Sequence, residues 1–227
     1  MTARGAATAR LLFQAGAVTL SRDRPFILAA GWASPVYVDC RRLIGRPDWA
    51  AAITELAATA IAEEPGPDGF DLIAGAETAG IAFAAWIAER LDRGLRYVRK
   101  RPLGIGRYAQ VEGGPVEGQR VLLIDDLATD AASKAAFVRG LREAGAVVTD
   151  AVVIFAHGTF PGTEARLGAL GLRLHALATW PDVLALAAAE PGRLDPADRA
   201  RIEAFRADPI GWSAAHGGRA TERRGGG

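Results

Sequence analysis

Residues 120–134 read RVLLIDDLATDAASK, and their order decides the fold. An apolar run over residues 121–124 leads straight into the adjacent acids Asp125 and Asp126. Small and hydroxyl residues follow, and then AAFVRGLREAGA, whose apolar spacing predicts a helix. A buried strand that stops at two carboxylates, a short loop and a helix together make half of a βαβ unit.

The pattern repeats outward. Upstream, FDLIAGA predicts a short buried strand, TAGIAFAAWIAERLD a helix and LRYVRK a strand. Downstream, VVTDAVVIFA predicts a strand, PGTEARLGALG a short helix and LRLHALAT a strand, with closing helices over 181–190 and 195–207. Such alternation gives an α/β fold with a parallel sheet flanked by helices. Ahead of it lie a helix over 6–15 and two short extended pieces around Gly31 in PFILAAGWASPVYVD. A long helix in RPDWAAAITELAATAIAEE then has Pro47 near its start and Pro65 after its end. RPLGIGRYAQVEGGPVEGQ reads as a long loop or mobile hairpin. The simplest organisation is one α/β domain over 1–216, with an N-terminal addition over about 1–45 and a disordered tail over 217–227.

Half of the 227 residues are apolar, enough for a sizeable core. The 27 Lys plus Arg against 26 Asp plus Glu leave a charge of +1, which argues against a general nucleic-acid binder. Lys100 and Lys134 are the only lysines. The single cysteine, Cys40, rules out an intramolecular disulfide and a Cys-based zinc site, and fits a reducing, cytoplasmic setting. No signal peptide is visible, and no apolar run approaches the ~18 residues of a membrane span.

Ligands in open parallel sheets sit at the C-terminal ends of the strands. Three segments fall there: GAETAG (75–80), RKRPLGIGR (99–107) and DDLATDAAS (125–133). A Mg2+–nucleotide site built on the acids would need G-x-x-x-x-G-K-[ST], and neither lysine lies in one. A phosphorylation site of the response-regulator kind would need a different order of acids and lysine. Carboxylates also accept hydrogen bonds from a ribose diol, and the following helix start suits its 5′-phosphate. The plain structural alternative, a helix cap with two solvated acids, stays open at this point.

This stretch resembles the phosphoribosyl pyrophosphate (PRPP) loop of the type I phosphoribosyltransferases. The resemblance sharpens to the orotate phosphoribosyltransferase family through GWASPVYVDCRRL (31–43), AGAETAGIAFAAWIAERL (74–91) and YVRKRPLGIGRYAQVEG (97–113), in the family's order. It runs from about residue 7 to about 187. It implies a phosphoribosyltransferase-like sheet with an N-terminal hood and a long mobile loop. It further implies PRPP and orotate as substrates, Mg2+ bound mainly through PRPP rather than by a firm protein site, and a homodimer whose Arg/Lys loop reaches the neighbouring site. By the same resemblance Asp125 and Asp126 hold the ribose hydroxyls. Leu127, Ala128, Thr129, Asp130, Ala131, Ala132 and Ser133 cradle the 5′-phosphate, with Thr129 near both substrates and Thr78 on PRPP. Arg99, Lys100 and Arg101 meet the pyrophosphate, Lys100 and Arg101 with catalytic roles. Tyr37, Val38 and His157 meet orotate. Arg107 adds charge to the closable loop.

The chain departs from the family pattern in places. The loop lysine is Leu103 and the loop histidine falls at Ile105. The glycine of the phosphate loop is Ala131, followed by Ala132, which favours an earlier helix start. Family lysines fall at Ala29 and Ala79. Two readings follow: an active enzyme with arginines replacing lysines, or a diverged paralogue that binds PRPP or a nucleotide with little turnover. A nucleotide-sensing regulator is a third, disfavoured by the near-neutral charge. Elsewhere, Glu77 is placed for Mg2+–PRPP or the basic loop, His175 reads as a packed strand residue, and Asp39 as a partner of Arg41 or Arg42. Arg41 and Arg42 would lower the Cys40 pKa, although a buried thiol is the simpler expectation. Trp32, Trp49, Trp86 and Trp180 read as core or interface residues.

Overall fold

The N-terminal segment is more structured than its sequence suggests. In the computed structural model, which describes residues 1–104, 106, 109–160 and 162–221, the chain opens with α1 (Ala3–Gln14). Thr2 caps it by accepting from the Gly5 N–H at 2.9 Å, and Ala9 and Leu12 bury in the main core. Four short strands follow: β1 (Val18–Leu20), β2 (Phe26–Ile27), β3 (Ala33–Ser34) and β4 (Val36–Val38). β1 pairs antiparallel with β4, and β2 with β3. The β2–β3 turn uses Gly31 at φ 87°, a left-handed conformation that a side chain resists. β1 has no counterpart in the sequence expectation. A 3-10 turn, Cys40–Gly45, leads into α2 (Pro47–Glu63), which buries Ile53, Ala57 and Ile61 at helical spacing.

The expected alternation then appears: β5 (Leu72–Ala76), α3 (Ala79–Arg90), β6 (Gly94–Val98), β7 (Val111–Glu112), β8 (Val121–Ala128), α4 (Ala132–Glu143), β9 (Asp150–Ala156), α5 (Thr163–Ala169) and β10 (Arg173–Thr179). Helices α6 (Trp180–Ala189), α7 (Pro196–Ala207) and α8 (Pro209–Ala215) close the chain, the last of them not expected from sequence. The sheet order is β10-β9-β8-β5-β6-β7, parallel except for β7, which folds back antiparallel on β6. The long Gly-rich segment is thus anchored midway along its length, where β7 pairs with β6.

Alternation along β8 and its neighbours sorts the two faces. Ile73, Leu122, Ile124, Val152 and Ile154 share one cluster with residues of α1, α2, α3 and α6. Ala74, Ala76, Val121 and Leu123 pack with Phe137, Val138 and Leu141 of α4. Every residue of β9 is buried, as in a parallel strand covered on both faces. The chain leaves β5 for β6 on one side and returns to its other side with β8. The reversal lies between β5 and β8, where open α/β sheets leave a crevice at the strand ends.

The C-terminal helices tie the small strands down. Ser213 Oγ, fully buried, accepts from the Ala33 N–H at 2.9 Å. The Arg219 N–H donates to the Gly31 carbonyl at 2.9 Å, and its guanidinium donates to the Ala30 carbonyl at 2.9 Å and lies 4.7 Å from the Trp32 ring. The expected tail therefore begins with bonded residues at Gly218 and Arg219; residues 222–227 lie outside the described residues.

Candidate active site

The acids do not end their strand. β8 continues through them to Ala128, pairing Asp125, Leu127 and Ala128 with β9. On the other side β5 pairs only as far as Ile124, so β8 runs on past its neighbour with one flank open. The start of α3 fills part of that flank. A Cβ on Gly80 would stand 2.5 Å from the Ile124 carbonyl oxygen and 3.0 Å from Asp125 Cα, so only glycine lets this helix begin against the acids.

The two carboxylates are not equivalent. Asp125 is 7 % exposed; its Oδ1 accepts from the Asp126 N–H at 2.9 Å, and its Oδ2 from Nζ of Lys134. Asp126 has its pKa raised to about 7, first by burial and then by the charge of Asp125, against the pull of Lys134 and Arg41. The Cys40 thiol is fully buried beside them. Burial and the acids Asp126, Asp39 and Asp125 push its pKa well up, so desolvation overrides Arg41 and the expected lowering does not occur. Arg41 is itself bonded to Asp39 at 2.6 Å, as expected for that pair.

Around the acids the fold gathers most of the expected residues. A cleft of about 350 Å³ has Tyr37 and Val38 on one wall, Thr78 and Lys100 on another, and Asp125, Asp126, Leu127, Thr129 and Ser133 along its floor. An adjoining hollow of about 290 Å³ shares Lys100, Leu127, Thr129 and Ser133 and adds Arg101, Asp130 and Ala132. A larger groove of about 840 Å³ between α2 and α3, lined by Ile44, Pro47 and Trp86, lies away from these residues and carries no catalytic groups.

Four candidates sit differently from expectation. Ala128 and Ala131 are each 2 % exposed and contribute backbone at most. Ala131 adopts φ 58° and ψ 9°, and α4 starts only after it, so the alanine takes up the left-handed conformation instead of extending the helix. Arg99 bonds Glu112 at 3.0 Å, stands 3.8 Å from Glu77 and lines a hollow with Lys100, Arg101 and Leu103 rather than the cleft itself. His157 does not face the site edge. It is 2 % exposed among Phe155, Phe160 and Trp180; its Nδ1 accepts from Trp180 Nε1 at 3.2 Å, and burial lowers its pKa to about 4. A strand-end position did not reveal that the aromatic side chains close over it.

Glu77 accepts from the Lys100 N–H at 2.7 Å, which fixes the root of the basic loop over the cleft. Leu103 is 64 % exposed near Glu77, Lys100 and Arg101. Arg107 and Ile105 lie outside the described residues. Lys134 falls in no motif of the sequence, although its being one of two lysines in an arginine-rich chain is a signal. His175 is packed as expected, with Nε2 2.7 Å from Asp150 Oδ1.

The family model described as "Phosphoribosyl transferase domain" matches residues 44–161. Orotate phosphoribosyltransferases of Dinoroseobacter shibae and Cereibacter sphaeroides are 47 % and 48 % identical, over 92 % of this chain and 92 % and 89 % of theirs. The chain belongs to the orotate phosphoribosyltransferase family. Among solved structures, orotate phosphoribosyltransferase from Aeropyrum pernix is 34 % identical at a TM-score of 0.66, over 80 % of this chain and 98 % of that one. Leishmania donovani UMP synthase is 27 % identical at a TM-score of 0.76, over 90 % of this chain and 43 % of that longer one. The chain is thus a phosphoribosyltransferase, an enzyme of glycosyltransferase type that serves pyrimidine biosynthesis. Identity of this order along nine-tenths of both chains favours the active enzyme over the turnover-deficient reading.

Proposed function

We propose that the cleft joins orotate to PRPP, giving orotidine 5′-monophosphate and pyrophosphate, through the residues it gathers. The observation that carries this is the acidic pair at the β5/β8 crevice, with Lys100 above it, Tyr37 beside it and the start of α4 at its end. Asp126, with Asp125 held beside it, accepts the ribose hydroxyls, and the pair offsets positive charge that builds at the anomeric carbon. Thr129, Ser133 and the N-terminal end of α4 receive the 5′-phosphate. The orotate ring packs on Tyr37 and Val38, placing its nitrogen towards that carbon. As the bond to pyrophosphate breaks, Lys100 and Arg101 neutralise the departing charge, and closure of the loop excludes water.

Mg2+ fits this site as a companion of PRPP. Among the described residues no cluster of three or more His, Cys, Asp or Glu could hold a metal, and magnesium commonly binds through substrate phosphates with one or two carboxylates. When bound, it would neutralise the pyrophosphate, held mainly by the phosphate oxygens of PRPP itself. We further propose a homodimer in which the loop arginines serve the neighbouring cleft, and a cytoplasmic setting. Among the described residues no helix is long and apolar enough to cross a membrane.

The test is orotate consumption by the purified full chain with PRPP and Mg2+. Turnover is expected, with Asp126→Asn lowering kcat/KM for PRPP by ~10²–10³. PRPP binding without orotate consumption would overturn the proposal.

A further inference from the structure

Lys134 is the one lysine that the reaction described above leaves unused. Its side chain is fully buried, an expensive place for an ammonium group unless it is paired and hydrogen-bonded. Its position is unfavourable for a second reason. It is the third residue of α4, where the helix dipole favours negative charge and disfavours a cation. Helix stability therefore does not account for a lysine here. What it bonds does: Nζ donates to Asp125 Oδ2 and, at 2.7 Å, to the carbonyl of Leu127. Those two acceptors bracket Asp126 in sequence, and the Asp126 N–H is itself held by Asp125 Oδ1 at 2.9 Å.

We propose that Lys134 is the positioning residue of the acidic pair: it anchors Asp125 inward, fixes the backbone on both sides of Asp126, and leaves Asp126 as the carboxylate offered to the ribose diol. Both Asp125 oxygens already have protein donors, whereas Asp126 lines the cleft with, among the described residues, no side-chain donor of this kind. The buried ammonium also offsets one of two adjacent negative charges at the spot where PRPP brings more. Among the described residues, the charged groups that act most on Asp126 are Asp125 on its own strand, Lys134 from α4 and Arg41 from the turn after β4, with the Cys40 thiol alongside. Among the described residues, Arg41 is the other cation whose charge lowers the Asp126 pKa, so removing Lys134 leaves the repulsion between the two carboxylates opposed mainly by Arg41.

This inference rests on the assignment of the acids to the ribose, and the experiment separates the two. In Lys134→Met the KM for PRPP is expected to rise about tenfold or more while that for orotate stays within about twofold. The acidic limb of kcat/KM for PRPP should move up by ~1 pH unit, because the pair now holds a proton more tightly. Lys134→Arg, which keeps the charge, should bring the limb back. Unchanged PRPP kinetics and profile in a folded Lys134→Met protein overturn the inference; so does an equal rise in both KM values with the profile unmoved. If Asp126→Asn also leaves PRPP kinetics untouched, the ribose assignment itself falls. A measurement on the unaltered chain guards against a variant that fails to fold. With ¹⁵N-lysine labelling, Lys134 gives one of only two side-chain ammonium signals. PRPP with Mg2+ should shift it and orotate alone should not; a signal indifferent to PRPP overturns the inference.

Discussion

Asp126 couples the cleft to pH. Its pKa in the fold, about 7, lies above the unfolded value of about 3.9. The folded apo chain therefore holds this proton more tightly than the unfolded chain, and the group's stabilising contribution is lost as pH rises from ~4 through ~7. His157 works in the opposite sense: its pKa of about 4 lies below the ordinary histidine value, so its contribution is lost as pH falls from ~6.5. Comparing Tm at pH 5 and pH 8 in wild type and Asp126→Asn isolates the first effect; the variant should lose less stability on going to pH 8. Ribose hydroxyls bind the ionised carboxylate, so PRPP binding at pH 6 should release a proton, seen as calorimetric heats that differ between buffers. Ala131 supplies another residue-scale test. A non-glycine residue in the left-handed region costs ~1–2 kcal/mol, against ~0.5–1 kcal/mol of extra unfolded-chain entropy for glycine. Ala131→Gly should stabilise the chain by up to ~1 kcal/mol in denaturant titration, and adding Leu103→Lys should raise orotate turnover by supplying a donor for pyrophosphate.

At the scale of elements, the β2–β3 turn depends on α8. Ala29 and Ala30 line the cleft and its adjoining hollow, in a turn closed by the Gly31 N–H on the Leu28 carbonyl at 2.7 Å. Ser213 and Arg219 add bonds to Ala33 and Ala30 from the far end of the chain. Ser213→Ala leaves the buried Ala33 N–H without an acceptor and should cost ~1–3 kcal/mol of stability. The loosened turn should also raise KM for substrate while leaving the acids intact, which steady-state kinetics at fixed PRPP will read. α3 makes a second long-range contribution, because its glycine start is what lets Asp125 sit beneath the helix.

At the scale of the molecule, the cleft is built at a strand-order reversal, with Lys100 and Arg101 from the root of the basic loop lining it and its adjoining hollow. Lys100 lines the cleft of its own chain, whereas Arg99 is turned to Glu112. If loop arginines serve a neighbour in a homodimer, mixing inactive Asp126→Asn with an inactive Arg99→Ala/Arg101→Ala variant should recover about a quarter of wild-type activity through mixed dimers. Sedimentation at the same concentrations should report a dimer. No recovery in dimers shown to have exchanged would assign those arginines to their own cleft.

The sequence by itself determined the α/β class, the places of the sheet strands and main helices, the strand-to-helix passage that carries the acidic pair, and the family. These follow from local periodicity, from glycine and proline punctuation, and from motif order, all of which are written along the chain. Tertiary structure decided which acid is anchored and which is offered, that β8 runs on past the acids, that His157 is sealed in aromatic side chains, and that Arg219 belongs to the fold. Each of those depends on groups far apart in sequence meeting in space, such as α3 against β8, Trp180 against His157 and Arg219 against Ala30. Burial and charge pairing belong to those meetings, so they set the pKa of Asp126 and the role of Lys134 in ways no local pattern encodes.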